Sequence, residues 1–265
     1  MRNLKIAIAL LVSVTLSAFN ATTQEKKIRI LLMGDSTTEG GKPVFEESIE
    51  QLLSDQDEST EVEVINVGRG GETAYSLLNS SRYDGQIKNI EQIDYIFFRY
   101  GINDWFHRMP VEEHFKADVK KVIDRLRVDF SEAQIIMMTI IPFLEESKTE
   151  IINDYISEIS QEESLELFDI YPTYFSKMEE LGKNSMNVRF FPLDSIPENY
   201  HSLVRPYTKF YDWKDAKWVR VQSNEFDPLF GHLEGWYKDQ HPNTTGYRLI
   251  ADETAKYLIQ KLDSE

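Results

Sequence analysis

Five short apolar runs alternate with helix-forming segments between residues 28 and 170, and this alternation constrains the fold more than any other feature of the chain. The runs are residues 28–33 (IRILLM), 62–67 (VEVINV), 95–100 (YIFFRY), 134–141 and 165–170. The first three stop at Gly34, Gly68 and Gly101, and the fourth at Pro142. Between and after them, residues 44–53, 111–130, 151–160 and 244–262 show helical spacing. In residues 111–130, Val111, Phe115, Val119, Val122, Ile123 and Leu126 share one face. Strands apolar on both faces, interleaved with helices, predict a parallel sheet covered on both sides, an α/β fold. In such sheets the site lies beyond the carboxyl ends of the strands. Three of those ends carry polar loops with glycine: Gly34-Asp35-Ser36, Gly68-Arg69-Gly70-Gly71 and Gly101-Ile102-Asn103-Asp104.

Two stretches depart from the alternation. Residues 1–23 begin with Arg2 and Lys5, continue through an apolar run over 6–16, and end in small and polar residues. This predicts a secretory signal peptide, with cleavage after Ala21 or Thr23. The run is short for a membrane span, which needs about 20 apolar residues. Removing 1–23 takes two bases and no acid, moving the net charge from −16 to −18. The expectation is an exported protein, periplasmic or extracellular, with no stable membrane anchor after cleavage and one domain over 24–265. The second stretch, residues 171–237, holds 15 of the 32 aromatic residues and recurrent prolines. It reads as an ordered aromatic-rich insertion before the C-terminal helix.

Composition and spacing exclude several chemistries. The chain has no cysteine, which removes disulfides, thiolate metal sites and a cysteine nucleophile. Its acidic surplus is unsuited to binding nucleic acid. The loop Gly34–Lys42 lacks phosphate-loop spacing, because Ser36 and Pro43 stand where glycine and a hydroxyl are needed; Gly68-x-Gly70 leads to Thr73, not to a third glycine. The five histidines show no metal-ligand spacing, so no metal or cofactor is expected. No Gly-x-Ser-x-Gly elbow is present. What remains is Ser36 in a tight turn after the first strand and His241 before the last helix. A serine hydroxyl needs a base to become a nucleophile, although a serine in such a turn also serves as a helix cap.

Four segments taken in order are more specific than either residue: Gly34-Asp35-Ser36; Asn66 through Gly71-Glu72-Thr73; Gly101-Ile102-Asn103-Asp104; and His241-Pro242-Asn243. This series resembles the SGNH (GDSL-type) hydrolases. The resemblance implies a flavodoxin-like three-layer α/β/α sandwich with a central parallel sheet. It implies Ser36 as nucleophile, His241 as general base, and an oxyanion hole formed by the backbone N–H groups of Ser36 and Gly71 and the side chain of Asn103. Donors of this kind stabilise the negative charge of a tetrahedral intermediate. The family usually places an acid three residues before the histidine. Here that residue is Lys238, and the nearest acid is Asp239. Either Asp239 orients the imidazole, or an acid from elsewhere or a backbone carbonyl does so.

Trp105, directly after the Asn103 segment, and Trp236, in the insertion, are candidate substrate-binding residues, since aromatic faces suit sugar rings. The expected function is a secreted serine esterase that removes short acyl groups, acetyl foremost, from a small-molecule or polysaccharide ester. A lipolytic esterase or lysophospholipase, an acyltransferase and a non-catalytic glycan-binding protein stay open as alternatives.

Overall fold

In the computed structural model, the described residues are 26–57, 59–143, 145–182, 185–200, 208–213, 216–221 and 237–264. The proposed signal peptide therefore lies outside them. The central sheet is built from β1 (Lys26–Gly34), β2 (Thr60–Asn66), β3 (Tyr95–Arg99), β4 (Gln134–Met138) and β5 (Glu166–Phe168), in the order β2-β1-β3-β4-β5. Every pairing in it is parallel. The order reverses at β1, so the ends of β1 and β3 flank a topological switch point where α/β folds place their sites.

Each strand feeds both faces. Leu31, Met33, Ile96, Phe98, Ile135 and Met137 point to one core, and Ile30, Leu32, Tyr95, Phe97, Ile136 and Met138 to the other. A pleat that alternates over a continuous apolar run makes both faces of the sheet hydrophobic, so both must be covered. Among the described residues the α-helices are α1 (Ser36–Glu39), α2 (Val44–Ser54), α3 (Ala74–Asn79), α4 (Ile102–His107), α5 (Val111–Asp129), α6 (Glu146–Glu162), α7 (Tyr171–Leu181) and α8 (Thr244–Leu262), with one π-turn at Tyr83–Ile87. The first face is covered by α3, the π-turn, α5 and α6 through Leu77, Tyr83, Phe115, Ile123 and Ile152. The second is covered by α2, α7 and α8 through Phe45, Ile49, Tyr174, Ile250 and Leu258. Among the described residues no helix is long and apolar enough to cross a membrane.

The segment 171–237 contributes to the second core and to a further sheet. Its first 11 residues form α7, and Tyr174 and Met178 of that helix are buried in the second core. The next elements, β6 (Asn187–Pro192), β7 (Thr208–Trp213), β8 (Ala216–Val221) and β9 (Tyr237–Pro242), form a separate antiparallel sheet in the order β7-β8-β6-β9. β7 and β8 pair as a local hairpin, but β6 pairs with β8 and β9 across 26 to 55 residues of chain, which weak periodicity alone does not reveal. His241, just before the last helix, lies in β9. There, two steps along β6, from Arg189 to Asn187, correspond to four along β9, from Lys238 to Pro242. A bulge of this kind bends a strand and re-aims its side chains.

Candidate active site

The first loop follows directly from β1. Asp35 has extended backbone and caps α1, its Oδ1 accepting from Thr37 N at 2.9 Å and from Thr37 Oγ1 at 2.8 Å. Asp35, not Ser36, thus takes the capping role, which leaves the Ser36 hydroxyl for a tertiary partner. That partner is His241: its Nε2 lies 2.8 Å from Ser36 Oγ. With Nε2 unprotonated, the hydroxyl donates to it, the arrangement general-base catalysis requires. The ring of Phe143, in the loop after β4, meets the His241 ring edge-on with centroids 5.1 Å apart.

The second loop crosses beside the first. Val67 N donates to Leu32 O and Arg69 N to Gly34 O, each at 2.9 Å, so the chain continues alongside β1 past the end of β2. Asn66 Nδ2 donates to Thr38 O at 2.9 Å, and Gly70 N donates to Glu39 Oε2 at 2.7 Å, tying this loop to α1. A Cβ at Gly68 would sit 2.4 Å from Glu39 N, so only glycine allows so close an approach. Gly71 has φ +76, the left-handed region that glycine enters without strain.

The third loop brings Asn103. Its Nδ2 donates to Glu72 O at 3.2 Å, which joins the second and third loops. Its neighbour Asp104 is fully buried, and its Oδ1 accepts from Ala74 N at 3.1 Å at the start of α3. Burial pushes the Asp104 carboxyl up to about 7 against the pull of the Ala74 N–H.

Asp35 and Arg99, side chains of opposite charge type, are both buried at the serine turn. Arg99 is paired in register with Gly34, and its Nη2 donates to Thr37 O at 2.8 Å and to Thr38 Oγ1 at 3.2 Å. Burial pushes the Asp35 carboxyl up, resisted by its Thr37 bonds and by the Arg99 charge. Burial pushes the Arg99 guanidinium down, resisted chiefly by Asp35. The two charges offset part of each other's desolvation cost.

Ser36 and His241 therefore meet, and Gly71 and Asn103 stand on adjoining loops linked through Glu72. Trp105 is half-buried against the first core, with Lys148 Nζ 6.0 Å from its ring centre. Trp236 lies outside the described residues. Asp239 belongs to β9, and its side chain lies outside what is described. Asn243 caps α8 by accepting from Gly246 N at 3.1 Å, so the last motif residue supports the helix after the histidine. Among the described residues no cluster of three or more metal-ligating side chains occurs.

Residues not picked out from the sequence include Arg99, Phe143, Arg82 and Tyr100. A lone arginine inside the apolar run 95–100 was a readable sign of a buried cation. Phe143 gave no sign, because only the fold carries its loop to the histidine.

The sequence profile of the GDSL-like lipase/acylhydrolase family matches residues 30–254. No curated protein sequence matches the chain. Solved structures of similar fold include an acetylxylan esterase from Geobacillus stearothermophilus, 14% identical, with TM-score 0.55, covering 88% of this chain and 95% of that one. The acetyl xylan esterase AlAXEase is 16% identical, with TM-score 0.56, covering 87% of this chain and 100% of its own. LAE5, an α/β hydrolase from the metagenome of Lake Arreo, Spain, is 13% identical, with TM-score 0.56, covering 86% of this chain and 94% of its own.

Proposed function

The chain belongs to the GDSL-like lipase/acylhydrolase family of ester-hydrolysing enzymes, and on that premise we propose that it is an exported serine esterase that removes short acyl groups, acetyl above all, from a carbohydrate. The observation that carries the catalytic assignment is the 2.8 Å contact between Ser36 Oγ and His241 Nε2. In the first half-reaction Ser36 Oγ attacks the acyl carbonyl while His241 takes the hydroxyl proton. The oxyanion is held by the N–H groups of Ser36 and Gly71 and by Asn103 Nδ2. Collapse expels the sugar alkoxide, which takes the proton from His241 and leaves an acyl-Ser36 ester. Water, deprotonated by His241, attacks that ester; Ser36 regains the proton and the carboxylic acid departs.

Asp239 is assigned the task of orienting His241. The bulge in β9 supports this reading, because it loosens the spacing rule that puts the family's acid one residue earlier. The carbohydrate assignment rests on Trp105, two residues beyond Asn103, as a stacking face for a sugar ring. The acetylxylan esterases of similar fold make acetylated oligosaccharides the first substrates to try. Export rests on the charge and apolarity pattern of residues 1–23.

The test is acetate release from acetylated xylo-oligosaccharides and from p-nitrophenyl acetate, by wild type and by Ser36→Ala. Loss of both activities in the variant supports the mechanism; equal rates overturn it. Turnover of the aryl ester alone, with no glycan among those tried releasing acetate, overturns the carbohydrate assignment. N-terminal sequencing of the exported protein reads the cleavage site directly.

A further inference from the structure

The loop that carries Gly71 is closed by a buried polar clamp that plays no part in the bond-making steps above. Arg82, just before the π-turn, donates through Nη1 to Glu72 Oε2 at 2.5 Å and through Nη2 to the Val67 carbonyl. One planar guanidinium thus bridges the first and last residues of the loop Val67–Glu72. Tyr100, at the end of β3, donates its hydroxyl to the same Oε2 at 2.8 Å. The Glu72 and Arg82 side chains are only 3% and 8% exposed. A buried ion pair is a weak source of stability, because desolvation consumes most of its Coulombic gain. Its distinctive contribution is geometry: an arginine fork accepts few arrangements of its acceptors.

The Glu72 backbone completes the arrangement. Glu72 N donates to Arg69 O at 3.2 Å, and Glu72 O accepts from Asn103 Nδ2 at 3.2 Å. One hydrogen of the Asn103 amide is engaged by Glu72, and the other is left to point elsewhere. Gly71 adds no side-chain restraint, and nothing stands within 4 Å of where its Cβ would be. A left-handed glycine peptide in open space needs an outside anchor if its N–H is to hold one direction.

We propose that Glu72 is the positioning residue of the oxyanion hole, fixing the Gly71 donor through its side chain and the Asn103 donor through its carbonyl, with Arg82 and Tyr100 as its clamp. The proposal rests on the serine-esterase reading above. Two donors from different strand ends are thereby held at one separation. Preorganised donors lose little to reorganisation as charge develops on the substrate oxygen, and small displacements of such groups are expensive in rate.

Tyr100→Phe removes one hydroxyl at constant ring volume, and Arg82→Lys keeps the charge on Glu72 but gives up the bridge to Val67. For either variant we expect kcat on p-nitrophenyl acetate to fall about tenfold, with KM within about twofold. The inhibition constant of a small boronic acid should rise by the same factor. Its boron accepts the Ser36 oxygen, the Ser36 proton passes to His241, and a boron-bound oxygen occupies the hole. Glu72→Gln, which keeps an acceptor for Tyr100, should retain more activity than Glu72→Ala. A merely structural role would lower the melting temperature without linking kcat to boronate affinity.

Backbone hydrogen exchange over residues 67–73 reads the clamp without any reaction. It should quicken in the variants while β1 and β3 stay protected. A folded Tyr100→Phe or Arg82→Lys protein with wild-type exchange in this loop, or with a kcat loss that leaves boronate binding unchanged, overturns the proposal. Failure of the esterase reading shows separately, as full activity in Ser36→Ala.

Discussion

Replacing Asp104 by asparagine should alter how stability depends on pH. Asp104 is fully buried, its Oδ1 is bonded to Ala74 N, and its Oδ2 has no hydrogen-bond partner. Burial, helped by the charges of Asp35 and Asp118, raises its carboxyl from 3.8 to about 7. Between about pH 4 and 7 the folded protein therefore keeps a proton that the unfolded chain has released. The sign follows: the stability tied to this proton is complete below about pH 4 and is lost as pH climbs through about 7. A rise of about three pH units, at ~1.4 kcal/mol each, sets the loss on the order of 4 kcal/mol. Asparagine has the same shape, keeps an acceptor for the Ala74 N–H, and does not titrate. At pH 5 the protonated acid and the amide each bury one polar group without a partner, so the two proteins should melt within a few degrees of each other. At pH 8 the variant should melt higher by about 8–15 °C, at ~2–4 °C per kcal/mol for a chain of this size. The assay is thermal unfolding by circular dichroism from pH 5 to pH 8.5, on both proteins in matched ionic strength. A difference that stays constant across that range, or that widens toward acid, would refute the reasoning.

Two further substitutions probe the proposed oxyanion hole. Asn103→Ala should lower kcat on p-nitrophenyl acetate by about 10²–10³ with little change in KM, as expected for a donor that acts on the transition state; a KM effect without a kcat effect would show that Asn103 serves binding instead. Gly71→Ala meets no atom within 4 Å but must hold φ +76, so thermal melts should show a loss of about 1 kcal/mol, while steady-state kinetics should show a larger fall in kcat as the peptide rotates away. A neutral effect on both would mean that Gly71 does not set the direction of its N–H.

The switch point explains why motifs remote in sequence were legible together. Gly34, Gly68 and Gly101 each end an apolar run, and parallel strands place such ends on one edge of the sheet. No distance information is needed for that inference, only the pleat and the alternation of elements. The helix Thr244–Leu262 was readable for the same reason: its Asn243 cap and its apolar spacing are both local.

Other features depend on contacts that no local pattern encodes. Composition marked residues 171–237 as aromatic, but Tyr174 belongs to the second core of the central sheet, whereas β6 to β9 pair with one another in a further sheet. Strand pairing is a choice among distant partners, and a short run states only that it will pair, not with whom. The clamp formed by Glu72, Arg82 and Tyr100 was invisible for a related reason. Each residue alone reads as an ordinary polar side chain, and only burial makes their mutual bonds obligatory.

The sequence by itself determined the layered α/β architecture and the sheet edge on which its glycine-bearing loops gather, because periodicity, glycine stops and caps act over a few neighbouring residues. Tertiary structure alone decided that His241 Nε2 comes within 2.8 Å of Ser36 Oγ across 205 residues of chain, and that a buried guanidinium closes the loop bearing Gly71. Those outcomes follow from strand order, a bulge in β9 and the need to pair polar groups once water is excluded, and these are properties of the packed molecule as a whole.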